Sequence, residues 1–137
     1  MNPIVRNSLA VIGGFVLGSI VNMSLILVSG SIIPLPDGVD NTTAEGLQAS
    51  LHLFEPRHFI FPFLAHALGT LVGAFFAAKL AASRKPAMAA VIAVLFLAGG
   101  TANVFMLPSP VWFNIVDLVG AYLPMAWIGA MLASKGK

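Results

Sequence analysis

The chain has no cysteine, a single tyrosine and only five acidic residues in 137. Without a thiol there is no disulfide, no thiolate nucleophile, no iron–sulfur cluster and no thiolate zinc site. Charge is equally scarce: Asp, Glu, Lys and Arg together make 9% of the sequence, against roughly 25% in an ordinary soluble domain. The seven basic residues form no stripe with interleaved aromatics, which excludes a nucleic-acid partner. No Gly-rich phosphate loop, HExxH or nucleophile elbow occurs, so the common signatures of nucleotide binding, zinc proteolysis and serine hydrolysis are missing.

What remains is apolar. Hydrophobic residues make 58% of the chain, and the mean hydropathy is +0.95. A chain this short has too little interior to hide that surface from water. The composition predicts a single all-α membrane domain over residues 1–137, a four-transmembrane-helix up-down bundle. The spans fall at about residues 4–28, 59–82, 87–107 and 111–132, each near the roughly 20 residues that cross a bilayer. The first run resembles a signal peptide at its Val28-Ser29-Gly30 end. Its apolar core is too long for an h-region, however, and it reads as a retained span. The breaks Ser83-Arg84-Lys85-Pro86 and Pro108-Ser109-Pro110 are short enough only for tight antiparallel hairpins.

The connection over residues 29–58 differs in kind. Pro34, Pro36, Asp37 and Gly38 mark turns, and Asn41, Thr42 or Thr43 is placed to cap a short helix. Within that helix Leu47, Leu51 and Phe54 recur at i, i+4 and i+7 as one apolar face. An amphipathic segment of this kind lies on the membrane surface or caps the bundle.

Charge sorting orients the chain. Arg6, Lys79, Arg84, Lys85, Lys135 and Lys137, six of the seven basic residues, fall on one side. Arg57 and the five acids, Asp37, Asp40, Glu45, Glu55 and Asp117, fall on the other. The positive-inside rule then makes both termini cytoplasmic, and the long loop is external.

Two small-residue stripes stand out. Ala10, Gly14, Gly18 and Asn22 recur every four residues in the first span, and Ala65, Gly69, Gly73 and Ala77 do so in the second. Membrane helices associate through such close contacts, so the first two spans are expected to pack face to face. Gly99-Gly100 and Pro124 are expected bending points. Pro62 is expected to free the carbonyl of His58.

Polar side chains gather at one depth. At 1.5 Å per residue, His66 lies roughly 10 Å below the outer end of its helix, Asp117 and Asn22 roughly 9 Å and Asn103 roughly 6 Å. Thr70, Thr101 and Asn114 extend the group, while the inner half offers little comparable. An intramembrane aspartate needs a partner, water or a proton, and His66 is the only imidazole inside a span. A His66–Asp117 pair fits three roles: a lock between two helices, a site for a small ligand or lipid headgroup, or a proton relay. The relay lacks a polar continuation toward the cytoplasm.

A second cluster, His52, Glu55 and His58, reads H-x-x-E-x-x-H. Imidazole and carboxylate suit a divalent metal, the one cofactor this chain would admit. Pro56 interrupts the segment and gives Glu55 the plainer role of a helix-terminus carboxylate.

The stretch His52-Leu-Phe-Glu-Pro-Arg-His-Phe, followed by Pro62-Phe-Leu-Ala-His66-Ala-Leu-Gly-Thr, resembles a group of small, uncharacterised four-helix bacterial integral membrane proteins. Asn103-Val-Phe-Met-Leu-Pro and Trp112-Phe-Asn-Ile-Val-Asp117 carry the same likeness. The resemblance implies a bacterial inner membrane and lends no activity. Taken together, these residues predict a non-catalytic binding or accessory protein with a polar site in the outer leaflet. The alternatives are a metal-dependent enzyme using His52, Glu55 and His58 and a small ion-coupled transporter centred on His66 and Asp117. Expected partners are the lipid bilayer, a lipid or small-molecule ligand, and a second copy or a larger membrane complex.

Overall fold

The computed structural model describes residues 1–135, of which Lys137 of the basic cluster lies outside. The chain is 81% helix, with no strand among the described residues. In chain order the helices are α1 (Pro3–Ile32), α2 (Ala44–Ser50), α3 (Ile60–Leu80), α4 (Lys85–Met106), α5 (Val111–Gly120) and α6 (Leu123–Lys135). Single 3-10 turns, Leu51–Leu53 and Pro56–Phe59, connect α2 to α3. Four segments are long and apolar enough to cross a membrane: Pro3–Ile32, Pro56–Leu80, Lys85–Met106 and Val111–Lys135.

Local chemistry sets the helix ends. Asn2 accepts the amide of Ile4 at 2.8 Å, and Pro3 supplies a preset φ at the first helical position. The helix does not stop at Ser29-Gly30. It continues to Ile32, because the first true breaker is Pro34, which forces Ile33 into the extended region. Leu107 is extended before Pro108 for the same reason. Pro62 falls in the first turn of α3, where an N–H has no helical partner to lose. Gly99-Gly100 does not interrupt α4. The break comes in the fourth span, at Ala121-Tyr122, because Pro124 has no N–H to give the carbonyl of Gly120.

The helix α3 is central and packs on α1, α4 and α6. Its buried face is almost all alanine and glycine, with Ala65, Gly69, Gly73, Ala74 and Ala77 covered, and Gly14 and Gly18 of α1 rest on it. A Cβ built on Gly18 would stand 2.5 Å from the carbonyl oxygen of Gly69, and one on Gly73 2.8 Å from that of Gly14. The pairs 14/73 and 18/69 run in opposite directions along the chain, so α1 and α3 are antiparallel, backbone against backbone. Gly129 of α6 is equally tight, 2.6 Å from the carbonyl of Leu71. Helices this apolar gain little from burying one face rather than another, and dispersion across such close seams holds them together. The end of the bundle that carries the α3–α4 hairpin is tied by polar groups. Arg6 Nε donates to the Leu80 carbonyl at 2.8 Å, and the Asn7 carbonyl oxygen accepts the amide of Ala82 at 2.9 Å.

Outside the spans, Thr43 caps α2 by accepting the Gly46 amide at 2.9 Å. The Thr42 hydroxyl and amide both donate to Asp40 and hold its carboxyl below the usual carboxylate range.

Valine placed at Gly14 or Gly18 should cost about 2 kcal/mol or more of stability through overpacking. Valine at Gly13 or Gly30, where a Cβ meets nothing within 4 Å, should be close to neutral. Unfolding in graded sodium dodecyl sulfate checks the order, and equal losses at all four sites would refute the seam.

Candidate functional site

Asp117 and Tyr122 are both buried, at 4% and 1% exposure. Asp117 projects from α5, and its Oδ1 lies 2.7 Å from Nδ1 of His66 on α3. Tyr122, at the break between α5 and α6, donates its hydroxyl to Oδ2 of the same carboxylate at 3.0 Å. The break is what lets this happen. Five residues along a continuous helix would carry the tyrosine to a different face, whereas here the ring folds back and stacks on His66 with centroids 5.9 Å apart.

Gly100 of α4 completes the arrangement. A Cβ on Gly100 would overlap the Tyr122 hydroxyl, so this glycine is a seat for the phenol. Thr70, fully buried, donates to the backbone carbonyl of His66 at 2.7 Å and stiffens the turn below the imidazole. A carboxylate only accepts, so Nδ1 of His66 carries the proton it shares with Asp117, and in the neutral ring Nε2 keeps its lone pair. Nε2 has no hydrogen-bond partner among the described residues.

His66 and Asp117 border a cavity of about 320 Å³, and Asn22, Asn103 and Asn114 line it with them. Five of the seven residues expected in the outer polar layer therefore meet at one space, contributed by α1, α3, α4 and α5. The sixth, Thr70, sits behind His66. Thr101 stands apart, exposed, with its hydroxyl turned back to the Leu97 carbonyl. Asn22 carries a buried carbonyl oxygen with no partner.

Leu47, Leu51 and Phe54 also line the cavity, so the apolar face of the loop segment covers the bundle. One polar contact ties it to the bundle, and two more brace the loop itself. Gln48 donates to the Met106 carbonyl at the end of α4 at 3.1 Å. The Glu55 amide donates to Nδ1 of His58 at 2.8 Å. Because an amide can only donate, the His58 proton sits on Nε2, which reaches the Pro34 carbonyl at 3.1 Å. Phe59 continues the cover, packing on Phe113 with centroids 4.6 Å apart.

His52, Glu55 and His58 do not assemble a metal centre here. Both ring nitrogens of His58 are engaged by the backbone, Glu55 pairs with Arg57 at 2.9 Å, and His52 is exposed. No three His, Asp or Glu side chains among the described residues are placed to share an ion.

The sequence reading missed Tyr122 and the purpose of Gly100. The one available signal was that the chain's only tyrosine stands two residues before a mid-span proline. No protein family, curated protein or solved structure matches the chain.

Replacing Tyr122 with phenylalanine should cost about 1–3 kcal/mol, since it leaves one oxygen of a buried carboxylate without a donor. Gly100→Ala should destabilise as well, by displacing the phenol. Thermal unfolding in detergent checks both, and an unchanged Tyr122→Phe midpoint would show that the hydroxyl does not support Asp117.

Proposed function

We propose that the chain is a multi-pass protein of a bacterial inner membrane, an up-down bundle with both termini cytoplasmic and a loop helix on the outer side. Its role is to bind, without transforming it, a small molecule or lipid headgroup in the outer leaflet. The observation that carries this reading is the convergence of His66, Asp117, Asn22, Asn103 and Asn114 on one cavity. Polar side chains in apolar spans are costly, and a purely structural lock would leave them mutually satisfied with no space between. Here Nε2 of His66 and Oδ1 of Asn22 stay open.

Other observations weigh against transport. Below the cavity the α1–α3 seam is backbone against backbone, Ile92 is fully buried, and Phe15 and Phe96 meet across α1 and α4 at 5.2 Å. At that level the helices close on glycine backbone and aromatic rings rather than on polar side chains. The occupied nitrogens of His58 weigh in the same way against a metal enzyme.

The absence of cysteine makes the test direct, because any introduced thiol is unique. Ser109→Cys, on the cavity wall, should react with a membrane-impermeant thiol reagent added outside intact cells. Ser83→Cys, in the α3–α4 hairpin, should react only after lysis. Native mass spectrometry of protein released from its own membrane should show a bound small molecule that is lost when the cavity is filled by Val104→Trp. Reversed labelling would overturn the orientation, and a wild-type protein with nothing bound would overturn the binding role.

A further inference from the structure

The cavity's chemistry narrows its ligand. We infer that it takes a primary ammonium group, presented by a lipid headgroup that enters sideways from the bilayer; this rests on the binding role proposed above.

The first argument is charge. Among the described residues, Asp117 and His66 are the only ionisable side chains lining the cavity, and no lysine or arginine borders it. Arg57, on the same outer side, is turned to Glu55 at 2.9 Å. An anionic group would meet the Asp117 carboxylate in an apolar enclosure with no cation to balance it. A cation is favoured there by the same field.

The second argument is hydrogen bonding. With its Nδ1 proton directed to Asp117, neutral His66 offers a lone pair at Nε2. Asn22 offers a buried carbonyl oxygen with no partner. Two unpartnered acceptors on residues of the cavity wall, beside a carboxylate, call for a ligand that donates more than once. A primary ammonium has three N–H donors and a positive charge. A trimethylammonium group has the charge and no donor.

The third is the way in. Leu51, Phe59, Phe113 and Asp117 are buried, which closes the roof and the α3–α5 side. Among the lining residues, Ile26 on α1 and Asn103 on α4 are exposed. The mouth therefore lies between α1 and α4. It faces sideways, above the Phe15–Phe96 contact that shuts the same gap lower down. A headgroup can enter this mouth while its acyl chains stay along the apolar flank of α1, where Leu27 is 74% exposed.

The test uses the full chain in nanodiscs of three compositions, phosphatidylethanolamine, phosphatidylcholine or phosphatidylglycerol, each mixed with one neutral background lipid. Lipids retained after transfer to detergent are counted by native mass spectrometry. Phosphatidylethanolamine should be retained roughly tenfold or more over either of the others, the scale of a charge-assisted hydrogen bond. Free ethanolamine, tested by thermal shift, should compete only at far higher concentration. Stronger binding of the free amine than of any lipid would overturn the lateral route.

Asp117→Asn supplies a variant that keeps shape and the Tyr122 contact. Its amide can donate to Nδ1 of His66, which moves the ring proton to Nε2 and turns the acceptor into a donor. Selectivity for phosphatidylethanolamine should then fall to near parity in a protein that still folds. Equal retention of phosphatidylethanolamine and phosphatidylcholine by the wild type, or a preference for phosphatidylglycerol, would overturn the ammonium assignment and leave a lipid-binding cavity standing. Retention of no lipid and no amine by the wild type would bring down both.

Discussion

A carboxylate enclosed by helices rich in alanine and phenylalanine is stable only if hydrogen-bond donors replace the water it has lost. Asp117 meets that requirement with two donors from two directions, His66 on α3 and Tyr122 at the head of α6. The consequences spread through the molecule. His66 is pinned to one tautomer, and the fourth span has to break so that Tyr122 can turn back. The third span has to carry a glycine where the phenol rests. Four separate sequence features, a histidine, a proline, a glycine and a tyrosine, answer to one buried charge.

The remaining cohesion comes from an interaction of the opposite kind. Between α1 and α3 there is almost nothing but backbone, with glycine carbonyls set against glycine α-carbons. Such a seam has no directional strength of its own, but it tolerates no added atom, and so it fixes the register of the two helices. That register brings Asn22 level with Ala65 and His66, because the four-residue spacing that places Gly14 and Gly18 places Asn22 next. Packing around Gly14 and Gly18 thus positions a polar group beyond them, at the cavity.

Much of this was legible in the residues, for identifiable reasons. Span number follows from apolar run length, and the Ala10/Gly14/Gly18 and Ala65/Gly69/Gly73 stripes follow from period. The covering face of Leu47, Leu51 and Phe54 follows from helical spacing. That His66, Asp117, Asn22 and Asn103 share one level follows from rise per residue, and all four line one cavity. What escaped were features that depend on where a helix stops. Asp117 and Tyr122 are five apart, a spacing that implies no contact until Pro124 interrupts the helix between them. The end of α1 at Ile32 belongs to Pro34, and the small residues Ser29 and Gly30 that suggested an earlier stop are simply helical. His58 looked like a ligand because imidazole is versatile. Its use here, accepting one amide and donating to one carbonyl, is dictated by the loop's own unsatisfied backbone.

The division of labour between the two ends explains why the cavity bordered by His66 and Asp117 lies at one of them. A stripe of glycines brings helices so close that no cavity survives between them, and α1 and α3 are built this way where Gly14 and Gly18 meet Gly73 and Gly69. Farther along the same stripe Asn22 and then Ile26 replace glycine, and side chains rather than bare backbone occupy the seam. The cavity begins at that level. A bundle this small has too few helices to surround a pocket along its whole length. Concentrating its closest contacts at one end frees the other to hold polar groups around a cavity, under a cover drawn from the connection between α1 and α3.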